Sequence, residues 1–198
     1  MGKVDYNLKN MSNIQAIIFD LVGVLVFKRR DYVPESKEQL SADKIEKLYN
    51  HLDDKKLLFD IKEKLGLADE EIEKVLACIP QKYEKNEELW KLLPELKKKY
   101  KLAIINNGNS LALKYWNKIF NFEVFDFFIN SAIEGFKKPN HKIYLIACKK
   151  LKVNPKNCLF IDDLEANIKT AKRLGMETIW WKKDKKEENL KNFNIKTQ

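Results

Sequence analysis

Three short apolar runs each stop at polar side chains, and this pattern restricts the fold more than any other feature of the chain. Ala16-Ile17-Ile18-Phe19 ends at Asp20, Leu102-Ala103-Ile104-Ile105 at Asn106-Asn107-Gly108, and Cys158-Leu159-Phe160-Ile161 at Asp162-Asp163. Continuous apolar runs of four to eight residues are the mark of strands buried on both faces, as in a parallel sheet. Helical spacing fills the gaps: Ser110 to Phe120, Asn140 to Leu151, and Leu164 to Leu174, the last closing at Gly175. Phe125 to Ile129 and Glu177 to Trp181 read as two further strands. Strands alternating with helices of this length predict an α/β architecture with right-handed crossovers. Ligands of open parallel sheets bind beyond the carboxyl ends of the strands. The three polar ends are therefore expected to converge on one site.

Between the first and second runs the rhythm differs. Residues 31–88 hold 10 Lys against 16 Asp plus Glu, or −6, whereas the whole chain carries +9, leaving +15 for the remainder. Four helical patterns follow one another here. One is capped by Ser41 to Lys44 and runs to about Leu52. One starts at Asp53 or Asp54 and ends near Gly66. One runs from Asp69 to Pro80. The fourth is marked by Leu89, Leu92, Leu93, Leu96 and Tyr100. The expected division is an α/β core of residues 14–30 and 89–182, a helical insertion of residues 31–88, and a polar, fraying tail of residues 183–198. Hinges are expected near Phe27–Tyr32 and Tyr83–Glu88.

Composition excludes several classes. No apolar run reaches the length of roughly 18–20 residues that a membrane helix needs, and residues 1–13 lack the apolar core of a secretory signal. Three cysteines without paired spacing exclude a disulfide scaffold or zinc finger and point to a reducing, cytoplasmic setting. The basic remainder suits anionic ligands, but no Arg-aromatic patch accompanies it, so no nucleic-acid partner is expected. The sequence does not specify an oligomeric state.

Four ordered segments resemble the haloacid dehalogenase superfamily: Ile17 to Leu25, Ala103 to Gly108, Gly135 to Tyr144, and Leu159 to Ile168. The resemblance implies a three-layer, Rossmann-like parallel sheet with a small helical cap inserted after the first segment. It implies that Asp20 is a nucleophile attacking phosphorus, and that Mg2+ sits among Asp20, Asp163, the Val22 carbonyl and, directly or through water, Asp162. Asn106 and Asn107 would bind phosphate, and Lys138 would pair with both the phosphate and Asp20. The substrate would be a small phosphorylated metabolite. One position departs from the phosphatase pattern: the usual acid–base Asp two residues after the nucleophile is Val22. Valine cannot move protons, and general acid–base catalysis contributes about 10²–10⁴-fold. Two alternatives follow from that departure: a weakened or inactive relative that binds a phosphometabolite or partner, and a metal-independent 2-haloacid dehalogenase. His51 and His141 read as surface or cap residues, and the role of Asn167 stays open.

Overall fold

The computed structural model describes residues 13–48 and 53–197. Five strands form one parallel sheet: β1 (Ala16–Phe19), β4 (Lys101–Asn106), β5 (Phe127–Asn130), β6 (Cys158–Asp162) and β7 (Glu177–Trp180). Their order is β5-β4-β1-β6-β7. The strand bearing Asp20 is thus central, between the strands that end at Asn106 and Asp162.

Strand alternation separates the two faces of the sheet. Ala16 and Ile18 of β1 point to one side, with Ala103, Ile105 and Phe160. They pack on α7 (His141–Leu151) and α8 (Glu165–Arg173) through Ile143, Tyr144, Ala147 and Ile168. Ile17 and Phe19 point to the other side, against α4 (Glu87–Lys99), α5 (Leu113–Phe120) and α9 (Lys186–Thr197). Helix, sheet and helix make the three layers expected from the sequence.

The insertion leaves and returns through a feature that the sequence did not reveal. Strand β2 (Val26–Lys28) pairs antiparallel with β3 (Tyr83–Lys85), joining Val26 to Lys85 and Lys28 to Tyr83. Three-residue strands carry too little periodicity to be read from sequence. Between them lie α1 (Lys37–Lys47), α2 (Asp54–Leu65) and α3 (Asp69–Cys78). Asp53 caps α2 by accepting the Lys56 N–H, and Gly66 ends it at φ +61°. There a left-handed residue is needed and glycine adopts it without strain. The inserted helices share one apolar cluster with the sheet: Ile45, Ile61 and Leu76 belong to the same buried group as Phe19 and Leu89.

Two expectations are corrected. Helix α1 starts at Lys37, with Ser36 Oγ accepting the Gln39 N–H at 3.2 Å. Ser41 and Ala42 are buried inside the helix rather than capping it. Two Ser-x-x patterns stand five residues apart, and packing of Ala42 and Ile45 selects the earlier one. The expected end near Leu52 lies outside the described residues. The second correction concerns the tail, which is helical rather than frayed. Phe193 of α9 is fully buried against Phe19, with ring centroids 6.4 Å apart. Asn189 accepts the Lys182 N–H and donates to the Lys182 carbonyl. Burying one Phe side chain stabilises by about 1.5–3 kcal/mol, which offsets the polar composition of the segment.

Candidate active site

Asp20 follows β1 directly, and its N–H donates to the Ile161 carbonyl of β6 at 2.8 Å. The chain then turns tightly: Leu25 and Val26 N–H both donate to the Leu21 carbonyl, with Gly23 at φ +103°. Gly23 also provides space. A Cβ there would lie 2.6 Å from the carboxyl carbon of Asp163. The turn is therefore in close contact with the Asp163 carboxylate, an approach only glycine permits. Val22, on the same turn, has an exposed side chain.

Lys138 lies at the centre of the site. It is buried, and its Nζ donates to Asp20 Oδ1 and, at 2.9 Å, to Asp162 Oδ2. Asp162 is fully buried, and its Oδ1 accepts from the Leu164 N–H and from Asn167 Nδ2, both at 2.9 Å. Asn167 is tied in turn to α7, its carbonyl accepting the Tyr144 hydroxyl at 3.2 Å. Sequence reasoning left Asn167 open and placed Tyr144 in the third segment without giving it a role. Nothing in the sequence pattern separates Tyr144 from a plain core aromatic.

One oxygen from each of Asp20, Asp162 and Asp163 lies within 4.8 Å of the other two. Three carboxylates around one ammonium leave two negative charges uncompensated when all are ionised. Burial, followed by the charges of Asp162 and Asp163, pushes the Asp20 carboxyl up to about 7 despite the opposing pull of Lys138. Burial and the Asp162 charge likewise raise Asp163. Burial works to lower Lys138, but Asp20 and Asp162 override it and hold the ammonium above its ordinary value. Hard oxygen donors with excess negative charge suit a divalent cation of the Mg2+ type.

The two asparagines of the second segment behave differently. Asn106, the last residue of β4, is half-buried, and its Nδ2 lies over Gly108, where a Cβ would come within 2.6 Å of it. Asn107 turns to Lys138: its Oδ1 accepts the Lys138 N–H at 2.8 Å and its Nδ2 donates to the Lys138 carbonyl at 2.9 Å. Of the two residues expected to donate to phosphate, Asn107 thus has its amide engaged with the main chain of Lys138. The following loop is fixed by residues the sequence did not single out. Ser131 Oγ accepts the Gly108 N–H at 3.0 Å, and Asp54 of α2 accepts the Ser110 N–H at 3.1 Å. His141 is exposed at the start of α7, and His51 lies outside the described residues.

A family model for haloacid dehalogenase-like hydrolases matches residues 14–175. The chain belongs to this family. Among curated proteins it is similar to glyceraldehyde 3-phosphate phosphatases. It is 43% identical over 87 residues to that of Pyrococcus abyssi, covering 42% of this chain and 36% of the relative. It is 41% identical over 97 residues to that of Pyrococcus furiosus, covering 46% and 40%. The matched region thus spans well under half of these relatives. Among solved structures, a HAD-like family hydrolase from Porphyromonas gingivalis shares the fold at TM-score 0.68 and 22% identity, over 94% of this chain and 100% of that one. A HAD family enzyme from Bacteroides thetaiotaomicron, solved with magnesium and inorganic phosphate, does so at TM-score 0.65 and 23% identity, over 84% and 93%. Among the described residues, no helix is long and apolar enough to cross a membrane.

Proposed function

We propose that this protein is a Mg2+-dependent phosphohydrolase acting on a small phosphorylated metabolite through an aspartyl-phosphate on Asp20. The observation that carries the reading is the excess of buried carboxylate around Lys138 at the end of the central strand. In this reading Asp20, Asp163 and the Val22 carbonyl hold Mg2+, and Asp162 reaches it through water, since its oxygens already accept protein donors. The metal, when bound, draws charge from the phosphoryl group. Asp20 supplies the attacking oxygen and splits one displacement into two. Lys138 steadies the Asp20 carboxylate and the phosphoryl oxygens where charge develops. Asn106 donates its amide to phosphate. The inserted helices α1 to α3 act as a cap that limits water and selects the leaving group. The names of the curated relatives put triose phosphates first among substrates to test.

Val22 sharpens the expectation. With no proton donor at that position, activated esters such as acetyl phosphate and p-nitrophenyl phosphate should turn over faster than alkyl phosphates. Hydrolysis of all three classes with Mg2+ and with EDTA tests the reading, with Asp20→Asn and Val22→Asp alongside. Turnover lost in EDTA and in Asp20→Asn is expected, with a gain of about 10-fold or more on alkyl phosphates in Val22→Asp. Val22 also favours a second reading, a relative that binds phosphometabolites without turning them over. Silence in the parent with rescue in Val22→Asp would select it. Metal-independent halide release from 2-haloacids would overturn both readings.

A further inference from the structure

We propose that Asn107 is a positioning residue whose side-chain amide sets Lys138 in register. The inference rests on the phosphohydrolase reading for its kinetic consequences but not for its geometry. Asn107 and Lys138 stand 31 residues apart, just past the end of β4 and on the loop that precedes α7. One side-chain amide nevertheless closes on both main-chain groups of a single residue, accepting the Lys138 N–H at 2.8 Å and donating to its carbonyl at 2.9 Å. Two antiparallel hydrogen bonds to one peptide segment remove its freedom to slide and to rotate, which a single bond would leave.

The need for such a clamp follows from the lysine itself. A lysine side chain has four flexible torsions and loses about 2 kcal/mol of rotamer freedom when held. Its Nζ must meet Asp20 and Asp162 together in a buried space. The tip is held by Asp162, the root by Asn107, and both supports come from strands that neighbour β1. Asn106, one residue earlier, sits on the opposite side of the strand end, with its amide over Gly108. Adjacent side chains of a strand point to opposite faces. Two identical residues therefore take different positions: the Asn106 amide lies over Gly108 and Asn107 faces the lysine loop.

The test is a double-mutant cycle of Asn107→Ala and Lys138→Ala, read by kcat and KM for p-nitrophenyl phosphate and by inhibition by inorganic phosphate. Outer supports of active-site groups typically cost about 10–100-fold. Asn107→Ala is expected to lower kcat by that factor, and to weaken phosphate inhibition by no more than Lys138→Ala does. It should cost nothing further when Lys138 is already alanine, since residues acting as one unit are non-additive. Losses that multiply, or a weakening of phosphate inhibition by Asn107→Ala that persists when Lys138 is alanine, would overturn the proposal. A second readout needs no turnover. Amide hydrogen exchange at Lys138 should accelerate at least about tenfold in Asn107→Ala, while β4 and β6 stay protected; unchanged exchange would overturn it. If Asn107→Ala does not fold, Asn107→Asp decides. Asp keeps the acceptor for the Lys138 N–H but loses the donor to its carbonyl, so exchange at Lys138 should accelerate and the fall in kcat should vanish when Lys138 is alanine. Unchanged exchange, or a rise in KM that persists in the Lys138→Ala background, would contradict the proposal. A parent that hydrolyses nothing would defeat the phosphohydrolase reading alone, and the exchange measurement would still judge the clamp.

Discussion

Among the described residues two lysines, Lys138 and Lys82, are buried, and each is held by two carboxylates. Lys138 meets Asp20 and Asp162, with side-chain exposures of 11% and 0%. Lys82, at the foot of β3, meets Asp43 and Glu46 of α1, whose side chains are 34% and 24% exposed. Around Lys82 the two carboxylates keep water contact, Tyr83 donates to Glu46, and Asp43 is held below its usual range, chiefly by its hydrogen bond to Lys82. Around Lys138 a third, partly buried carboxylate is added, and Asp20 is pushed up to about 7, chiefly by burial. The first cluster relaxes by solvent and ties the hairpin stem to the inserted helices. The second carries excess negative charge, which suits a divalent cation.

This contrast can be broken most severely at Lys138. Lys138→Ala is expected to lower turnover of acetyl phosphate by about 10²–10³-fold, measured at saturating Mg2+. A loss within a few-fold would make Lys138 a second Lys82. Lys82→Met tests the converse. It should destabilise the fold by about 1–3 kcal/mol in urea titrations, while kcat of the folded variant stays within a few-fold of the parent. Turnover that collapses in a stably folded Lys82→Met would erase the distinction.

The smallest effect is also the most specific. The folded-state pKa of Asp20 is raised from 3.8 to about 7. Ionising it therefore costs stability: the penalty is absent below about pH 4, grows as pH rises toward 7, and is complete above that. Asp20→Asn should accordingly melt higher than the parent in EDTA at pH 7.5, by at least about 1 kcal/mol or roughly 2–4 °C. The gap should close toward pH 4, and Mg2+ should stabilise only the parent. Equal melting temperatures across that range would mean that the cluster carries no strain.

The sheet and its site were legible because their signals are strong and local. Runs such as Cys158 to Ile161 read as buried strands because helices alternate with them, and carboxylates that terminate such strands lie at the carboxyl end of the sheet. Asp53 and Gly66 bounded a helix by the chemistry of their caps. The features that escaped depend on distant partners. Strands of three residues at Val26 and Tyr83 pair across the whole insertion, and no local pattern marks them. Phe193 turns a polar tail into a helix by meeting Phe19, which lies far away in the chain. Asn107 looked like Asn106 until the loop bearing Lys138 came to rest beside it.

The central claim is that Asp20 accepts a phosphoryl group in a Mg2+-dependent step. Acetyl phosphate carrying a labelled phosphoryl group, reacted briefly with the protein, quenched in acid and mapped by peptide mass spectrometry, tests it most directly. The account predicts label on the peptide containing Asp20, present with Mg2+ and absent with EDTA and in Asp20→Asn. Hydrolysis that proceeds with no label on Asp20, or label on another residue, would contradict it.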